Sequence, residues 1–298
     1  MKSRSNAYIS LHIAVFLFGF TAILGRLIQL TEMEIVWYRV LLTSLSLLFI
    51  PGLLRELRGM QRKEIAHLAG IGLLVVSHWV CFYGSIKYSN VTVALSVLST
   101  TAFFTALLEP LFFSSRIKKQ ELFLGALIIP GMYLIFHFGK LYLTGIILSL
   151  MAAFFASIFT ILNRKKVRQH SPMAMTFVEL SAGWVFLSLL IPAYRFYFPE
   201  AHFAPSANDF AWLLVLALLC TTLAYNLALS SLRRVSAFTF NISINLEPVY
   251  GIVMAAILFR ENEYINPAFY LGTAIILLAI FIHVFMEYRA GRKSVQKN

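Results

Sequence analysis

The sequence predicts an all-α integral membrane protein: ten transmembrane helices in two inverted five-helix repeats, with both termini cytoplasmic. Three observations predict it: a composition too apolar for one soluble core, an alternation of basic and charge-poor loops, and a weak self-similarity at an offset of 146 residues. Of 298 residues, 59% are hydrophobic and 13% charged, with a mean hydropathy of +0.78. A soluble domain carries about 25% charged residues. The surplus apolar surface has to face lipid.

Ten runs approach the roughly 20 apolar residues that a span needs. They are Ala7–Ile28, Ile35–Leu54, Ile65–Ile86, Val91–Phe113, Leu122–Phe138, Tyr142–Leu162, Met173–Tyr194, Trp212–Leu232, Ala237–Phe259 and Ala268–Met286. The fifth is short and interrupted by Pro130-Gly131, and the eighth has a weak C-terminal edge. The basic stretch ahead of the first run resembles a signal peptide. Gly25-Arg26-Leu27 offers no cleavage site after Leu24, so the run is expected to stay as the first helix.

The net charge of +12 does not form a nucleic-acid surface, because the cations are dispersed between apolar runs rather than gathered on one face. Of 25 Lys and Arg, 19 fall at the termini or in alternate loops on the N-terminal side. Only Lys87, Lys140, Arg195 and Arg260 fall opposite, and Arg26 and Arg39 lie within or beside spans. Basic loops stay cytoplasmic, so the bias predicts both termini inside, an even number of spans and a place in the cell's inner membrane. Cys81 and Cys220 lie in apolar runs and read as small buried side chains.

At the 146-residue offset the fourth run falls on the ninth: Asn90-Val91-Thr92-Val93 over Ser236-Ala237-Phe238-Thr239, with Lys87 over Arg233 and Trp79 over Tyr225. This divides the chain into residues 1–140 and 141–298 of one membrane domain. Five spans per half is an odd number, so the halves insert upside down to each other, a design recurrent in secondary transporters.

The segment Leu246-Glu247-Pro248-Val249-Tyr250-Gly251, continued through Leu258-Phe259-Arg260-Glu261, resembles the penultimate helix of an EamA-type repeat. Leu98 to Arg116 is its first-half counterpart, and Phe16-Leu17-Phe18-Gly19-Phe20 resembles that family's first helix. Ala102 stands where the fourth helix usually carries a proline, and Arg260 where a glycine is usual. The resemblance covers essentially the whole chain. It implies a member of the drug/metabolite transporter superfamily exporting amino acids or other small metabolites.

Charged and polar residues inside spans are the first candidates for a site, because a charge at the bilayer centre costs roughly 2.5–3.5 kcal/mol. Glu247 lies near the middle of the ninth run beside Pro248, which is expected to kink the helix. Asn241 and Asn245 share a helical face there. Glu179 lies toward the cytoplasmic side of the seventh run, and Glu109 lies within reach of the Arg116–Lys119 cluster. Arg39 is placed to approach Glu247 from the outer side, with snorkelling to headgroups or an anionic ligand as alternatives; its depth puts Glu179 out of reach. His78, Trp79 and Tyr83 in the third run, Ser99 and Thr101 in the fourth, and Tyr225 and Asn226 in the eighth complete the expected cavity wall. Trp79 and Tyr225 are expected above and below it.

Glu247 and Glu179 are the candidate proton-coupling groups, each able to exchange a charged for a neutral form. The sequence has no Gly-rich phosphate loop, no metal-ligand spacing and no catalytic arrangement around His170 or His202, so no cofactor, no metal and no enzymatic activity are expected. The expected partners are a small-molecule substrate, the lipid bilayer and a proton. Two alternatives stand beside export: uptake or exchange of phosphorylated or nucleotide sugars, and an integral-membrane enzyme acting on lipid.

Overall fold

The computed structural model describes residues 2–114, 119–127, 142–199, 201 and 203–260, with scattered positions in 130–134 and 268–286. Among these every regular element is helical. The first half comprises α1 (Lys2–Leu27), α2 (Glu32–Leu48), α3 (Leu53–Gly59), α4 (Arg62–Tyr88), α5 (Val91–Leu98), α6 (Thr101–Phe113) and α7 (Lys119–Ala126). The second comprises α8 (Leu143–Lys166), α9 (Pro172–Tyr197), α10 (Ala207–Ala217), a π-helical turn (Leu218–Leu223), α11 (Ala224–Leu232), α12 (Ala237–Ile244) and α13 (Glu247–Phe259). Seven continuous or gently bent helices among the described residues are long and apolar enough to cross a membrane, and eight if α2 and α3 count as one span. The protein is therefore a multi-pass membrane protein. Most of the fifth and tenth expected spans, the boundary at 140 and 141, Arg116, Lys118, Lys140, His202, Glu261 and the basic tail from 287 lie outside the described residues.

Of the expected boundaries that move, three bear on how the helices are placed. The second span stops at Leu48, because Pro51-Gly52 comes next and Gly52 adopts φ 86°, a conformation that only glycine takes without strain. The chain leaves that turn at 98° to α2 as the short α3. The eighth span begins at Ala207 rather than Trp212, because Ser206 caps it by accepting from the Asp209 amide while its own hydroxyl donates to the Asp209 carboxylate. The sixth span runs on to Lys166, past Leu162.

The second helix of each half is capped in a related way. Thr31 caps α2, and Glu34 Oε2 returns a bond to the Thr31 amide at 2.7 Å, a complete capping box. Ser171 caps α9 without a return acid in its own first turn. Glu56 of α3 supplies it from a distance, accepting from the Ser171 amide at 2.9 Å.

Local geometry recurs at the 146-residue offset. Asn90 and Ser236 cap α5 and α12. The spans begun by these helices break at residues 99–100 and 245–246, and both end on a residue with left-handed backbone, Ser114 at φ 50° and Arg260 at φ 54°. In the second half Pro248, which has no amide hydrogen to continue the ladder, comes just after the break, and the Asn245 and Leu246 amides bond three residues back instead. The first half has Ala102 there. The break is made by hydroxyls: Ser99, Thr100 and Thr101 each donate to a carbonyl three or four residues earlier.

Packing repeats the same exchange. The first helix of each half lies on the eighth or third span of the other, α1 on α10–α11 and α8 on α4. α1 also packs on α13 and α8 on α6, while α5 meets α13 and α12 meets α6. α2 pairs with α9, its own counterpart, with the Trp37 indole donating to Ser188 Oγ at 2.8 Å. The α4–α9 crossing depends on Gly72, where a Cβ would collide with the Glu179 backbone carbonyl. Gly72→Ala is expected to push these helices apart and cost about 1–3 kcal/mol, the usual penalty of overpacking. Thermal unfolding of the purified protein in detergent checks this, and an unchanged midpoint would show that the crossing has slack.

Candidate functional site

Where the two halves meet, a partly open cavity lies between α1, α2, α4, α5, α6, α8, α11, α12 and α13. Its wall is mostly apolar and rich in aromatics: Phe18 from α1, Phe82 from α4, Phe159 from α8 and Phe240 from α12. A few polar groups converge on it, the usual composition of a small-molecule site.

Arg39 from α2 is the permanent charge in this wall and is only 2% exposed. Its Nε donates to Thr221 Oγ1 at 2.7 Å, one terminal nitrogen donates to the Tyr83 hydroxyl at 3.0 Å, and the other to the Cys220 carbonyl at 3.4 Å. The guanidinium carbon lies 3.7 Å from the Trp79 ring centre. Such a desolvated cation–π contact contributes about 2 kcal/mol. The π-helical turn brings the Cys220 carbonyl and Thr221 hydroxyl to the guanidinium. The Thr221 and Thr222 hydroxyls cap carbonyls five residues back, Leu216 and Ala217. Such turns often mark functional sites.

Glu247 from α13 is the acidic counterpart, 5% exposed and on the same wall. Among the described residues its carboxylate has no hydrogen bond and no ion pair within 4 Å. The expected approach of Arg39 to Glu247 therefore does not become a direct pair, because Arg39 spends three donors on neutral oxygens. Snorkelling is also excluded by its burial. Glu179 is 0% exposed and stands behind the wall, its Oε2 accepting from the Tyr225 hydroxyl at 2.7 Å and from Asn163 Nδ2 at 3.3 Å. Glu109 is taken by Arg164 at 2.7 Å and also accepts from the Ala237 amide, so it ties α6 to the starts and ends of its neighbours.

Of the other residues singled out in the sequence, His78, Trp79, Thr101, Tyr225 and Asn241 face the cavity. His78 Nδ1 bonds the Ala152 carbonyl at 2.9 Å, and Asn241 donates to Thr105 Oγ1 at 2.7 Å. Tyr83, Ser99, Asn226 and Asn245 are buried but not on the wall. Tyr83 is spent on Arg39. Ser99 bonds back to Leu95, and Asn226 donates to the Thr222 carbonyl at 2.6 Å. Asn245 falls in the break before Pro248, which takes it off the face of Asn241. Trp79 and Tyr225 do not sit above and below the cavity; their rings meet edge to face at 6.1 Å.

The EamA-like transporter family's profile matches the chain twice, over residues 5–137 and 143–285. The chain belongs to this family. Its relatives include the Bacillus subtilis (strain 168) protein named uncharacterized transporter YxxF, 26% identical over 88% of this chain and 86% of the relative. A Salmonella typhimurium (strain LT2) protein named probable amino-acid metabolite efflux pump is 28% identical over 73% of this chain and 76% of its own length. One solved crystal structure superposes with a TM-score of 0.71 at 14% identity, covering 96% of this chain and 99% of the other, and supports the fold.

Asn163 and Thr160 of α8 and Thr21 of α1 are the polar wall residues that sequence reasoning passed over. Asn163 precedes Arg164-Lys165-Lys166 and reads there as a loop residue, whereas the helix continues through all three. No residue pattern announces the π-helical turn, although Thr221-Thr222 supplies the hydroxyls that support it. Thr221→Val removes the acceptor of the Arg39 Nε bond and is expected to cost about 1.5–3 kcal/mol, the worth of a hydrogen bond to a charged group. Thr221→Ser is expected to restore most of it in the same thermal unfolding assay; equal losses for both variants would refute the hydroxyl's role.

Proposed function

We propose that the protein is a secondary transporter that exports small polar or amphipathic metabolites such as amino acids, working by alternating access in the cell's inner membrane. The observation that carries this reading is the cavity at the seam of the two halves, where an unpaired carboxylate and a guanidinium with donors to spare share an aromatic wall. A ligand bearing both a cationic and an anionic group satisfies both. Phenylalanine-lined surface accepts its apolar part. The name of the Salmonella relative, probable amino-acid metabolite efflux pump, supports the same class of cargo.

The repeat supports the mechanism. The double family match and the recurrence of caps, breaks and left-handed ends at one offset favour two equivalent halves, residues 1–140 and 141–298. With five spans each, these halves lie inverted, ten spans in all, and both termini are cytoplasmic. Exchanging their conformations converts an inward-facing into an outward-facing state of similar energy. Glu247 or Glu179 couples the cycle to a proton. No enzymatic step is assigned to any of these groups.

Two outcomes test this. Reporter fusions that fluoresce only in the cytoplasm are expected to be active at both termini, and an external terminus would overturn the inverted ten-span arrangement. In liposomes containing the purified protein and loaded with an amino-acid mixture, efflux is expected to accelerate under an imposed pH gradient and to drop at least severalfold in Glu247→Gln. Flux indifferent to both the gradient and the substitution would sink the coupled-export reading.

A further inference from the structure

Around the cavity the two halves differ most where Trp79 and Tyr225 stand at equivalent positions, 146 residues apart. α4 carries Trp79 as unbroken α-helix from Arg62 to Tyr88. Its counterpart interrupts itself with the π-helical turn Leu218–Leu223 just before Tyr225. The two rings also serve opposite charges: Trp79 lies under the Arg39 guanidinium, and the Tyr225 hydroxyl is bonded to Glu179.

Glu179 is shut away. Tyr225 and Asn163 face the cavity and Glu179 does not, so the hydroxyl and the amide stand between the carboxyl and the open space. Asn163 Nδ2 bonds both Glu179 Oε2 and the Tyr225 hydroxyl, closing a three-membered cluster. On the same cluster Glu179 Oε1 and Asn163 Oδ1 are buried acceptors with no donor. A buried acceptor left without a donor is unfavourable, and this cluster holds two. A proton on Glu179 turns one of these acceptors into a donor.

Apart from Tyr225 and the unpaired Glu247, the charged and titratable groups nearby are committed elsewhere. α2 brings Arg39, bonded to Thr221, Tyr83 and the Cys220 carbonyl; α4 brings Tyr83 and His78, the latter on the Ala152 carbonyl. α3 brings Glu56, held by Ser171, and α8 brings Arg164, turned to Glu109. α11 brings Tyr225 itself, and α13 brings Glu247 on the cavity wall. Among the described residues no cation forms an ion pair with Glu179 within 4 Å.

We infer that Glu179 is a proton site separate from the ligand cavity, and that Tyr225, with Asn163, is the door between them. This deepens the transport reading and rests on it for its purpose. The carboxylate takes a proton from hydronium in the cavity water: one O–H bond of the hydronium breaks, one forms on the carboxyl, and a neutral water is left. Oε1 then becomes a donor instead of a buried acceptor without one. The π-helical turn moves the door. It holds one residue more than an α-helix of the same length, and passing that residue along rotates the adjoining helix by roughly 100°. Tyr225 then swings off Glu179. Arg39 holds that turn through Thr221 and Cys220, so a ligand anion that draws on Arg39 acts on the door, while Glu247 meets the ligand itself.

Infrared titration of the purified full-length protein in liposomes tests this without a known substrate. A protonated-carboxyl band is expected in the unaltered protein, lost in Glu179→Gln, kept in Glu247→Gln, and shifted in Tyr225→Phe, which lacks the hydroxyl that donates to it. A protonated-carboxyl spectrum unchanged by Glu179→Gln, or unmoved in Tyr225→Phe, overturns the inference. If Glu179→Gln does not fold, the shift in Tyr225→Phe decides alone. Amino-acid flux in the same liposomes keeps the two readings apart: a band assigned to Glu179 without any flux supports the proton site and overturns export. Normal flux with the band assigned elsewhere overturns the door alone.

Discussion

A guanidinium stays charged at any pH a cell reaches, so placing one inside a membrane protein commits everything around it. Arg39 cannot shed its charge, and it is only 2% exposed. Its surroundings are accordingly built as a receptor for it: an indole under its face, a phenol and a threonine hydroxyl on its nitrogens, and a carbonyl turned out by an irregular helix. None of these partners is an anion. A carboxylate partner would neutralise Arg39 and close the site around a permanent ion pair. Neutral partners hold the cation in place and leave its field directed into the cavity, where Glu247 is left equally unneutralised.

The rest of the molecule supports that arrangement. Thr221 can face Arg39 only because α10 gives way to the π-helical turn, and the turn is tolerable because Thr221 and Thr222 satisfy carbonyls at Leu216 and Ala217. The wall opposite depends on the bent spans, whose breaks bring Thr101 and Glu247 to the cavity at equivalent places. The ends are tied by charge: Glu109 with Arg164, and Glu64 with Lys166 at 2.8 Å. These ties are partly exposed, and such pairs contribute about 0–1 kcal/mol each. They set the register of the helix ends more than they hold the fold.

Much of the fold was legible because the bilayer imposes a length and a charge rule on every span. Hydropathy located the helices that the structure describes, and the penultimate-helix motif at Leu246–Gly251 pointed to the family that the profile match establishes. The site was legible where a residue is out of place chemically. Arg39, Glu179 and Glu247 stand out as charges in apolar runs, and Trp79 and Tyr225 as repeat equivalents. The features that stayed hidden depend on geometry that residue types do not encode. Asn163 looked like the start of a basic loop because the helix end was drawn at the first polar residue. Tyr83 and Asn226 share apolar runs with wall residues but are spent on protein partners, Arg39 and the Thr222 carbonyl, off the cavity surface. The fourth span bends with no proline to announce it, since Ser99, Thr100 and Thr101 look like ordinary small polar residues of a packed helix.

The two bends differ in stiffness. Pro248 can never return a hydrogen to the ladder, so the ninth span carries a permanent joint. The fourth span is bent by three hydroxyls on rotatable bonds, which can let go of their carbonyls and allow the helix to straighten. One half of the molecule is thus jointed and the other sprung. In the proposed exchange of conformations, two orientations that a perfect repeat would make equal in energy would then differ, and the molecule would have a resting side.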